Sequence, residues 1–140
     1  MIFSIHIQKE PVSCPRPRVT RRGRTYMPQK YIDYKEKIVQ LLKEELSTSS
    51  WQEGEVRPVK LQCKFIHKRP KYLKKGERVH KATRPDLDNL LKTVLDCLQD
   101  ANVIKDDSQF VVFEKIEKYY ASHIEEGSTT IFVSLLEENS

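Results

Sequence analysis

Glycine is scarce in this chain, four residues in 140, and cysteine numbers only three. So little glycine excludes a collagen-like chain. Cys14, Cys63 and Cys97 stand far apart, odd in number and with no CxxC pair. A disulfide framework and a zinc knuckle are both excluded by that spacing. No apolar run approaches the ~20 residues a membrane helix needs. The opening ten residues alternate and then turn charged, unlike a signal peptide, so a soluble cytoplasmic protein is expected. There is no P-loop and no GxGxxG, and no HxxH or HExxH spacing links His6, His67, His80 and His123. Ser122-His123 lacks the partners of a hydrolase triad.

What the chain has is charge, unevenly placed. Residues 9–30 and 68–84 together hold 15 of the 25 basic side chains and 2 of the 20 acids. Those 39 residues carry a net +13, and the other 101 net −8. Two basic segments on an acidic body point to a polyanion, above all nucleic acid. Solvated basic loops are the plainer reading of one such run. Two runs, each with aromatic or apolar members (Tyr26, Tyr72, Leu73, Val79), favour nucleic acid. Charge alone separates neither DNA from RNA nor binding from cutting.

A chain of this length is expected to form one domain, 1–140, burying roughly 70% of its unfolded surface. Residues 2–8 alternate as a half-buried strand, with Phe3, Ile5 and Ile7 on one face. Residues 9–28, with Pro11, Pro15, Pro17 and Gly23, read as a long irregular loop. Tyr31, Tyr34, Ile38, Leu41, Leu42 and Leu46 recur at helical spacing over about 29–46. A polar connection, 47–55, leads to a strand in which Val59, Leu61, Cys63 and Phe65 alternate with polar residues. A second helix is expected at about 87–101, where Leu87, Leu90, Leu91, Val94, Leu95 and Leu98 form one stripe. Burying those six side chains is worth on the order of 10 kcal/mol before entropy. A ragged strand at 109–121 and a cleaner one at 129–136 complete the order β-α-β-α-β-β. A single α/β fold follows, a mixed sheet with helices packed on it.

Chemistry is concentrated in Arg84-Pro85-Asp86-Leu87-Asp88-Asn89-Leu90-Leu91-Lys92 and in Lys105-Asp106-Asp107-Ser108. Before a proline the backbone is pushed towards extended geometry, where residues two apart point the same way. Asp86 and Asp88 then share one point in space, provided the helix begins at about Asp88. Asp96 lies ~12 Å further along the axis and is left out. Simple structural roles compete: Asp86 as a helix cap, Asp88 with Lys92 as an i, i+4 pair, Asp106-Asp107 as turn residues. Against them stands the combination of hard carboxylates, a lysine and flanking basic loops. Phosphodiester hydrolysis needs carboxylates for Mg²⁺, a cation at the phosphate and a grip on the backbone.

At these residues the sequence resembles the RusA family of Holliday-junction resolvases. The resemblance rests on residues 85–92, Leu95-Asp96 and Lys105-Asp106-Asp107-Ser108-Gln109, and on Pro15-Arg16-Pro17-Arg18 and Thr25-Tyr26-Met27-Pro28. It implies a small homodimeric α/β endonuclease, dependent on Mg²⁺ or Mn²⁺, making paired cuts across a four-way junction. Its essential acids fall on Asp86, Asp88 and Asp107, the implied metal ligands, and its motif lysine on Lys92. Asp106 is expected either to stand behind the ligands or to replace one of them. Some members carry an unbroken arginine run before the first acid, where this chain has His80-Lys81-Ala82-Thr83-Arg84-Pro85. DNA contacts are expected from Arg16, Arg18, Arg21, Arg22, Lys71, Lys74, Lys75 and Arg84. Two rivals stay open: a non-catalytic branched-DNA-binding protein, and a flap or branched-DNA nuclease without junction symmetry.

Overall fold

Strand β1 (Ile2–Ile7) buries Phe3 and Ile7, as its alternation requires. Two short strands, β2 (Arg18–Val19) and β3 (Thr25–Tyr26), precede helix α1 (Gln29–Thr48). Next come β4 (Val59–His67), β5 (Val79–His80) and α2 (Leu87–Asp100). A 3₁₀ turn at Asp107–Gln109 leads into β6 (Phe110–Tyr120), and β7 (Ser128–Leu135) follows. This is the computed structural model of the chain, and it describes residues 1–136. The expected domain span includes residues 137–140, which lie outside those described.

Five strands form one mixed sheet in the order β1-β7-β4-β6-β5. β4 runs parallel to β6, and the other neighbours pair antiparallel. A parallel pair demands a long crossover, and here it carries α2. Val59, Leu61, Cys63 and Phe65 of β4 are buried on the helix-bearing face with Ile131 and Val133 of β7. Ile38, Leu42 and Leu46 of α1 and Leu90, Val94, Cys97 and Leu98 of α2 close that core. The fold is thus α/β with a mixed sheet, as expected. Cys63 and Cys97 are buried free thiols. Burial raises both, Cys97 to about 12. Trp51 packs edge-on against Phe3 and donates its indole N–H to the Val103 carbonyl at 2.8 Å.

The segment 9–28 departs from the irregular loop expected of it. Beyond Pro17 the chain pairs Arg18 with Tyr26 and Val19 with Thr25, closed by Gly23 at φ 79°. Only glycine adopts that φ without strain. Two-residue strands have too little length to show a period, which is why β2, β3 and β5 escape a sequence reading.

His67, at the end of β4, is 6% exposed, and among the described residues neither ring nitrogen meets a partner at good hydrogen-bond geometry. Burial, and then the Lys81 charge, push its pKa down to about 4. The unfolded chain takes up a proton near pH 6.5 that the folded chain refuses until about pH 4. Stability is therefore lost as pH falls through that window. His67→Leu should flatten the thermal-melting profile between pH 6.5 and 4, removing up to about 3 kcal/mol of acid sensitivity. A slope in the variant equal to the wild type's would show that another group is responsible.

Candidate active site

Asp86 stands at the N-cap of α2 with extended backbone (φ −70°, ψ 143°), and Asp88 lies in the first helical turn. The helix begins at Leu87, one residue earlier than the pairing of the two acids was expected to need. Asp86 stays outside it, and both acids line the same cleft. That cleft, about 960 Å³, is walled by Ser13–Pro17 on one side and by Arg84, Pro85, Asp86, Asp88, Asn89 and Lys92 on the other. The two walls are joined by the Cys14 N–H donating to the Asn89 carbonyl at 3.0 Å.

Neither plain structural role of these acids is realised. Asp86 makes no side-chain cap hydrogen bond; its main-chain carbonyl accepts from Asn89 and Leu90 instead. Asp88 and Lys92 form no ion pair among the described residues. Among the described residues the Asp88 carboxylate accepts only the adjacent Asn89 N–H, at 3.0 Å. Two exposed carboxylates, with Arg16, Arg84 and Lys92 around them, face a common space at the positive end of a helix dipole.

Asp107 lies elsewhere. Its N–H donates to the Gln99 side chain at 2.9 Å, near the far end of α2. Gln99 is ~16 Å along the helix axis from Asp88, too far for the acids of one chain to share an ion. Among the described residues no three His, Cys, Asp or Glu side chains converge as a metal site. Asp106 is used structurally: it caps the 3₁₀ turn, accepting from Ser108, while Gln109 accepts from the Asp106 N–H at 2.8 Å.

Of the expected DNA-contacting cations, Arg16 and Arg84 line the cleft and the other six lie outside its lining. Arg18 opens β2, directly beyond the cleft wall, and Arg21 and Arg22 sit in the turn between β2 and β3. Lys71, Lys74 and Lys75 are exposed on the loop after β4. Arg69 shapes that loop from within, donating to the carbonyls of Lys74 (3.0 Å), Glu77 (2.9 Å) and Ala121 (3.1 Å). Arg78 pairs with Glu125 and holds that carboxyl down at about 2. Part of the basic charge is thus structural, a division that composition does not reveal. Sequence reasoning also missed the cluster behind Arg84. Thr83 shares hydrogen bonds with Lys81 (2.7 Å) and Tyr120 (3.0 Å). The Tyr120 hydroxyl is drawn down to about 8 by Thr83 first and then by Tyr72. Lys118 reaches the main chain of the same segment.

The family model described as Endodeoxyribonuclease RusA matches residues 8–131. The chain belongs to the RusA endodeoxyribonuclease family. The matched span contains every residue lining the cleft, and Asp107 as well. No curated protein matches the chain. RusA membership implies a nuclease that resolves Holliday junctions, and the cleft gathers two acids with Arg16, Arg84 and Lys92. No helix among the described residues is long and apolar enough to cross a membrane.

Proposed function

We propose that the protein is a divalent-metal-dependent endodeoxyribonuclease that cuts four-way junctions in pairs, as a homodimer. One observation carries the reading: Asp86 occupies a cap position and does not cap. A carboxylate left without its structural duty, beside a second acid in an open cleft, suits a hard cation. Mg²⁺ is commonly held by one or two carboxylates and several waters, so Asp86 and Asp88 fit it or Mn²⁺. When bound, the ion would supply charge neutralisation at the phosphate and activation of water. Lys92, one helical turn beyond Asp88, would stabilise charge developing on the phosphate oxygens. Arg16 and Arg84, from the two walls, would clamp the flanking backbone.

Asp107 enters through the second copy. Stranded at the far end of α2, it cannot complete a three-acid set within its own chain. Val111 (55% exposed) and Phe113 (51%) follow it on β6, an apolar surface suited to a two-fold contact beside that acid. A two-fold enzyme also matches the junction's own symmetry, which paired cutting requires.

Cleavage of a synthetic four-way junction with and without Mg²⁺ tests the proposal. Paired, metal-dependent nicks support it. Binding without cutting under any divalent ion would leave a junction-binding protein, and unpaired nicks a branched-DNA nuclease. The exposed lysines should govern binding: the double variant Lys74→Ala, Lys75→Ala is expected to lower the slope of log affinity against log salt by about 2, without altering the cleavage position. An unchanged slope would remove those lysines from the DNA interface.

A further inference from the structure

We propose that Lys118 is a positioning residue for the acidic pair. Its ammonium donates to the carbonyl of Thr83 at 2.7 Å and to that of Pro85 at 2.6 Å. These carbonyls flank Arg84, and Pro85 is bonded directly to Asp86. One cation on the sheet therefore fixes the last turn of chain before the first acid. Charge-assisted bonds of this kind are stronger than neutral ones and more directional. Thr83 is held from its other side by Lys81 and Tyr120, so the segment is gripped at both main chain and side chain.

The way the chain presents this lysine is specific. β6 pairs with β4 in three registers: Val59 opposite Phe110, then Leu61 opposite Phe113, then Cys63 opposite Ile116. The extra residue of the second shift lies at a bulge where Lys115 has φ 52°. A one-residue shift exchanges the two faces of every residue beyond it. After the bulge Lys118 stands beside Phe65, whose side chain is buried on the helix-bearing face. In the second register Glu117 would take that place and turn a carboxylate towards two carbonyls. Bulges beside active sites commonly re-aim a side chain in this manner. Here the re-aimed group is the cation that anchors Asp86.

The proposal rests on Asp86 and Asp88 holding a divalent ion, and the test separates the two ideas. Mn²⁺ affinity is read by electron paramagnetic resonance on the DNA-free protein, for wild type, Lys118→Met, Lys118→Arg and Asp86→Asn. Junction binding in EDTA and melting temperature are measured alongside. Lys118→Met should weaken Mn²⁺ binding and slow cleavage by roughly ten- to a hundredfold, with junction binding unchanged. Arginine, which can also donate to both carbonyls, should restore most of the loss. Unchanged Mn²⁺ affinity in Lys118→Met, with Asp86→Asn weakened, overturns the role of Lys118 alone. So does a loss that tracks a fall in melting temperature and that arginine does not rescue. Wild-type affinity in Asp86→Asn overturns the metal reading itself and the positioning role with it.

Discussion

Asp86→Asn should bind a four-way junction in Ca²⁺ as tightly as the wild type, and cut it in Mg²⁺ on the order of 10²–10³-fold more slowly. The substitution keeps shape and removes charge. Asparagine serves at a helix N-cap as well as aspartate does, and here the side chain makes no cap bond to lose. Melting temperature should therefore stay within a degree or two of the wild type. On the proposed reading, binding relies on cations of the two basic segments, which the change does not touch. A variant that cuts at close to the wild-type rate would mean that the carboxylate has no part in the chemistry.

Mixing two dead variants should restore about a quarter of the intact clefts. If Asp107 serves the cleft of the other copy, Asp86→Asn and Asp107→Asn are each inactive alone. A mixed dimer then has one cleft spoiled twice and one wholly intact. With random exchange of equal amounts, half of the dimers are mixed and each has one intact cleft of two. Nicking of a single strand should therefore return at about a quarter of the wild-type site number, without paired cuts. If each chain used only its own acids, every cleft in the mixture would carry a defect and no nicking would return. Gel analysis of strand-labelled junctions distinguishes the two. Recovery should also vanish when Phe113→Glu places a charge on the exposed β6 surface.

Legibility in the sequence followed length and period. The leucine stripe of α2 and the alternation of β1, β4 and β7 stand out because each runs for several periods. β6 reads as ragged, and the bulge at Lys115 explains it: the alternation changes phase midway. The local constellation of Asp86, Asp88 and Lys92 was visible because neighbouring residues on a strand-to-helix junction have predictable directions. The isolation of Asp107 was visible in principle. It lies beyond a 14-residue helix from Asp86, and the axial distance that removes Asp96 applies to it with more force. Arg69 and Lys118 were not legible, since their partners are main-chain carbonyls brought near only by tertiary folding.

The hydrogen bond from Cys14 to Asn89 ties the arginine-bearing wall of the cleft to the helix that bears the acids. Cations and carboxylates are thereby set to one spacing before any DNA arrives. The ordering cost of that wall is met during folding, so docking should show little of the heat-capacity change that accompanies coupled folding. A cleft of fixed gauge also discriminates by geometry: a strand whose phosphates are bent to that gauge engages both walls, and a straight one engages a single wall.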